Sequence, residues 1–215
     1  MRDALIQKPR LRGRIHQVAF FVSVPAGVLL VLLASGAAAT AVATIYAVSL
    51  SAVLGSSAAY HRGAWSEQAR RWMKRLDHSM IFVLIAASYT PVAALVLGGP
   101  WEVVLLSVVW AGAVVGITMK LARPDGLRVP TAALYMVLGW LAVAVFPQLL
   151  REMSTAEASL MVAGGLLYTA GAIVFASRRP DPRPSTFGYH EIWHAFMVAA
   201  AACHYVMILL LLLAS

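Results

Sequence analysis

The chain has 215 residues, 61% of them hydrophobic and only 12% charged, with a net charge of +8 and a mean hydropathy of +0.79. A soluble domain is about half apolar and about a quarter charged, so no water-facing surface can be assembled from what remains, and the chain reads as a polytopic membrane protein. The basic balance then belongs to topology, and nucleic acid is excluded as a partner because no motif of that class is present.

Apolar runs of about 20 residues predict an all-α membrane fold of seven spans. In chain order these are Val18–Ser35, Ala41–Tyr60, Ser79–Leu97, Trp101–Met119, Thr131–Leu150, Ala158–Ser177 and Glu191–Ala214. A basic cytoplasmic tail, residues 1–15, precedes this seven-helix domain of residues 16–215. The basic start and the stretch ASGAAATAVA also resemble a cleaved secretory signal. The apolar run from Val18 is about 18 residues, longer than the ~7–15 of a signal core, so a retained first helix is expected. Pro91 is predicted to kink span three, either widening a cavity or as a tolerated membrane proline. Gly112 and Gly116 form a GxxxG pair that close helix packing explains without a dimer.

The loops set an orientation. Arg2, Lys8, Arg10, Arg12 and Arg14 precede span one, and Arg62, Arg70, Arg71, Lys74 and Arg75 follow span two. Lys120, Arg123 and Arg128 follow span four, and Arg178, Arg179 and Arg183 follow span six. Arg151 alone falls on the other side. Under the positive-inside rule the N-terminus is cytoplasmic and the C-terminus outside, as in a multi-pass protein of the cell (plasma) membrane.

Ionisable groups within spans are costly, so their positions carry information. His61 closes span two, Asp77 opens span three, and His190 and His194 open span seven, all four at the cytoplasmic side. On a helix, His190 and His194 are about 40° apart around the axis and ~6 Å apart along it. That i, i+4 spacing lets two imidazoles share a metal. A third histidine from another helix would complete three nitrogens and leave a fourth position open to water. Asp77 is placed to serve such a water as base, and Ser57, four residues before His61, to support the site or polarise a carbonyl. Taken singly, these residues have plainer uses. His16 and His78 read as interfacial polar residues, Asp77 as a partner of Lys74 or Arg75, and Glu191 as a helix N-terminal acid. His204, about 15 Å deeper on nearly the same stripe, is either a helix–helix hydrogen-bonding group or part of a deeper path.

The segments SSAAYH, RLDHSMIFVLIAASYTP and FGYHEIWHAFMVAAAACHY resemble the signatures of the hemolysin III family, the bacterial members of the progestin and adiponectin receptor (PAQR) group. The resemblance covers nearly the whole chain. It implies a zinc ion near the cytoplasmic face ligated by His61, His190 and His194, with Asp77 and Ser57 around its water as catalytic groups. It also implies a lipid-accessible cavity between the helices and kinship with ceramidase-like membrane hydrolases. The function expected is zinc-dependent hydrolysis of a lipid amide or ester near the cytoplasmic leaflet, with membrane lipids as partners. Two other classes stand beside it. One is a non-enzymatic, receptor-like sensor of membrane state with structural zinc. The other is a proton or ion path, disfavoured because spans four to six carry no ionisable residue at depth. Any link to cytolysis is expected to be indirect, since a seven-span chain cannot be a soluble pore-forming toxin.

The orientation is tested by reporters. Alkaline phosphatase fused after Ser215 is expected to be active in a bacterial host and green fluorescent protein at the same point dark. The reverse pattern would overturn the assignment.

Overall fold

The computed structural model describes residues 9–123 and 126–215. Arg2 and Lys8 of the basic tail, and the side chain of Arg128, lie outside that description. Eight helices are present among the described residues: α1 (Arg14–Leu33), α2 (Gly36–Arg62), α3 (Glu67–Val92), α4 (Gly99–Ala122), α5 (Arg128–Gly139), α6 (Phe146–Glu152), α7 (Thr155–Ser177) and α8 (Tyr189–Ala214). They make seven spans, because α5 and α6 share one, Val129–Glu152. Valines, leucines and aromatics such as Val18, Phe21, Leu32, Val103, Val114 and Ile173 point outward, as an apolar solvent requires.

The helices outrun the apolar runs at the end that carries the basic loops. α3 starts at Glu67 rather than near Ser79, because Ser66 caps it by accepting from the Ala69 N–H at 3.3 Å. The polar stretch QARRWMKRLD is therefore helical although it lies outside the apolar run. This places Asp77 in the third turn of α3, with a helix already built beneath it.

Two spans depart from a regular helix. In span three the α-helix continues past Pro91 to Val92 and then widens into a π turn, Ala93–Leu97. Span five, read from the sequence as the apolar run Thr131–Leu150, is broken. α5 stops at Gly139, a 3₁₀ turn runs Leu141–Val145, and α6 begins with Pro147 in its first turn. Proline has no N–H to offer the Val143 carbonyl, and its ring would crowd that carbonyl in a continuous helix. Backbone freed inside a span must find a new partner. Tyr89 of α3 supplies it twice: its hydroxyl donates to the Gly139 carbonyl and accepts from the Ala142 N–H, each at 3.0 Å.

α8 sits at the centre of the arrangement, packed on α7, α1, α2 and α3, while α3 also meets α2, α4 and α5. The core runs through Leu30, Tyr46, Leu50, Phe82, Val109, Met207 and Ile208. The two glycines of α4 are used in close packing. A Cβ on Gly112 would strike the Leu138 side chain of α5, and one on Gly116 the Phe82 ring of α3.

Tyr89→Phe leaves the Gly139 carbonyl and the Ala142 N–H without their side-chain partner. It is expected to lower stability by about 1–3 kcal/mol, read as a lower melting temperature in detergent. Gly112→Val and Gly116→Val should act in the same direction through steric overlap.

Candidate metal centre

The last turn of α2 and the first turns of α8 face each other at the basic-loop end of the bundle. His61 is the penultimate residue of α2, while His190 and His194 lie one turn apart on α8. Their donor atoms can be chosen so that all three lie within 4.8 Å of one another. His61 Nε2 and His190 Nε2 are 3.3 Å apart. The ring centroids are separated by 4.8 Å (His61–His190), 5.2 Å (His61–His194) and 4.6 Å (His190–His194). His61 and His194 are buried and His190 is half-buried.

One turn back along α2, Ser57 faces α3. Its hydroxyl is hydrogen-bonded to the Asp77 carboxylate, and both residues are buried. Ser57 and His61 share a face of α2 at i, i+4, so the Ser57–Asp77 pair stands beside the histidines. His78 Nε2 is 4.0 Å from Asp77 Oδ2, and the His78 carbonyl accepts from the Tyr135 hydroxyl of α5 at 2.8 Å. Arg75 lies over the Trp72 ring, 4.5 Å from its centroid. His204 takes no part in the cluster: its Nε2 is 3.4 Å from the Met161 carbonyl across the α7–α8 contact, and Gly164 makes room for its ring.

The donor set suits a divalent ion. His194 is 1% exposed, and neither of its ring nitrogens has a hydrogen-bond partner. A polar group buried without a partner is costly, and a ligated ion would satisfy one of these nitrogens. Imidazole donors suit zinc and several other transition metals.

Two participants went unrecognised in the sequence. His16, expected at the interface, is 3% exposed and lies flat against His194, with ring centroids 3.8 Å apart and planes 3° apart. Arg12, counted only as a topology charge, pairs with Glu191, which is 1% exposed. Glu191 is the N-terminal acid of α8, as its position suggested: its Oε2 accepts from the Gly188 N–H at 2.9 Å while Oε1 receives Arg12. Backbone bonds from Arg10 N to Ser185 O (3.1 Å) and Leu11 N to Thr186 O (3.2 Å) extend this seam. Gly13 completes it. Its φ is +76°, and a Cβ there would lie 2.7 Å from His61 Cβ, so only glycine lets the chain turn into α1 this close to the cluster. The contacts of His16 and Arg12 with α8 have no local signature, because each joins residues well over a hundred positions apart, and the need for Gly13 rests on a single turn.

Comparison with known proteins places this arrangement among relatives. Residues 4–205 match the family described as "Haemolysin-III related". Hemolysin-3 of Bacillus cereus is 32% identical over 190 residues, covering 87% of this chain and 84% of that protein. The Hemolysin-3 homolog of Bacillus subtilis is 31% identical over 197 residues, covering 90% and 89%. A more distant, PAQR-type relative is the human monocyte to macrophage differentiation factor, 28% identical over 167 residues and covering 76% and 67%.

Removing the guanidinium strands a buried carboxylate, whereas Glu191→Gln removes the charge and keeps an acceptor for Gly188. Arg12→Ala is therefore expected to destabilise by about 3 kcal/mol and Glu191→Gln by less, measured by thermal unfolding in detergent. Equal effects would mean that charge burial is not the cause.

Proposed function

This chain belongs to the haemolysin-III-related family, and from that membership and the geometry of the centre we propose that it is a zinc-dependent integral membrane hydrolase of lipid amide or ester bonds. It acts at the cytoplasmic leaflet of the plasma membrane. The observation that carries this reading is the convergence of His61, His190 and His194 with the buried, unpartnered nitrogens of His194. His61, His190 and His194 would hold the ion. When bound, zinc supplies Lewis acidity toward a carbonyl oxygen and brings the pKa of a water to about 7.

The remaining chemistry belongs to the chain. Asp77 is the general base: its carboxylate takes the proton of the attacking water and delivers it to the departing amine or alkoxide. The products balance as the acid and the amine or alcohol. Ser57 keeps the carboxylate in one orientation through its hydroxyl and is also placed to donate toward the developing oxyanion. Ser57, His61, Asp77 and His194 are all buried, and removal from bulk water strengthens each of these interactions. A lipid reaches such a site from the side, between helices, without leaving the membrane.

The test begins with metal content of detergent-purified protein. About one zinc per chain is expected in the wild type and a loss in both His61→Ala and His190→Ala. Asp77→Ala should keep the metal while lowering turnover of a lipid amide or ester panel by about 10²–10⁴-fold. Bound zinc with no turnover of any such lipid would favour a structural metal in a sensor. Wild-type protein that takes up no divalent ion after reconstitution would end the metal reading.

A further inference from the structure

A metal-ligating imidazole is ordinarily held in its plane by a hydrogen bond from its second ring nitrogen to a carboxylate, a carbonyl or water. His61 and His190 have neighbours of several kinds, but both nitrogens of His194 are buried without a hydrogen-bond partner. What His194 has instead is a second imidazole laid on its face. His16 lies 3.8 Å away, centroid to centroid, with the two planes 3° from parallel. No side chain partners the buried nitrogens of His16, and what the ring presents to the His194 imidazole is its face.

The stack also settles what His16 is not. An imidazole nitrogen directs its lone pair in the ring plane. An ion held in the plane of His194 would lie off the plane of the parallel His16 ring, so the two rings would not both ligate it in this arrangement. His16 thus stands beside the three candidate donors without being one of them.

We propose that His16 is a positioning residue: the stack replaces the missing second-nitrogen hydrogen bond and fixes the ring plane in which His194 meets the metal. This rests on the reading that the three histidines hold an ion. The start of α1 is held in register for the task. Arg12, in the turn before α1, pairs with Glu191, and His16 in the first turn of α1 stacks on His194, so the ion pair and the stack form successive contacts between this N-terminal segment and α8. The two backbone bonds from Arg10 and Leu11 to the loop before α8 keep that register from slipping.

The experiment measures cobalt and zinc affinity by chelator competition, with the visible spectrum of the cobalt form, on the full-length protein in detergent. His16→Leu fills the volume without a flat face, and His16→Phe keeps the face without the nitrogens. His16→Leu is expected to weaken affinity by about 10–100-fold, the usual loss when support of a ligand is removed, and to alter the cobalt bands. His16→Phe should stay close to wild type. A Leu variant indistinguishable from wild type would reduce His16 to core filling and overturn the proposal. A folded Phe variant as weak as Leu would also overturn it, by showing that the nitrogens matter. X-ray absorption on zinc-loaded wild-type protein needs no variant: three imidazoles around the ion are expected, and four would make His16 a ligand. Failure of the wild type itself to bind either metal would instead remove the metal reading on which the proposal stands.

Discussion

Burying imidazoles and carboxylates among apolar helices is costly unless each finds a partner, and the partners available at one end of this bundle dictate how the helices meet. Glu191 is the clearest case. Almost fully buried, it closes the N-terminus of α8 by holding the Gly188 N–H and at the same time accepts Arg12 from the segment before α1. One carboxylate thus starts the helix that carries His190 and His194 and docks the helix that carries His16 against them. His61 joins from α2, and Asp77 reaches α2 through Ser57. Four helices are tied together by polar contacts within a few turns of the same end.

The opposite requirement shapes the rest of the bundle. Away from the centre, hydroxyls such as Ser88 and Thr90 return to the carbonyl one turn back, at Leu84 and Ala86, and irregular backbone occurs where a neighbouring helix can serve it. Tyr89 shows how such a break is tolerated, with one hydroxyl serving both a carbonyl and an N–H of the interrupted fifth span. The π turn after Pro91 and the glycines of α4 belong to the same economy: irregular or closely packed backbone appears where another helix is present to cover it. A rigid apolar frame of this kind can hold a polar centre in a defined geometry, which a catalytic or a sensing role needs alike.

Membership of the haemolysin-III-related family and the likeness to a PAQR-type human protein fit one scaffold used in distant settings. A shared scaffold does not assign a shared activity. The chemistry argued for this chain accordingly rests on its own side chains, in particular on the buried pair of Ser57 and Asp77 and on three converging imidazoles.

The sequence by itself determined the membrane class and the seven spans, because twenty-residue apolar runs have no other stable use. The i, i+4 pair at His190 and His194 was legible for the same reason: helical periodicity is local and needs no knowledge of neighbours. His61, Asp77 and Ser57 could be placed near that pair only through depth and family resemblance, and α3 begins well before its apolar run because capping, not hydropathy, sets where a helix starts. Tertiary structure alone decided that His16 lies on His194, that Arg12 answers Glu191, and that span five breaks under the cover of Tyr89. Those contacts join segments distant in the chain or replace bonds that a regular helix would have made. Hydropathy records where a residue sits across the membrane; which way it faces around its helix, and what meets it there, is fixed only when the helices pack.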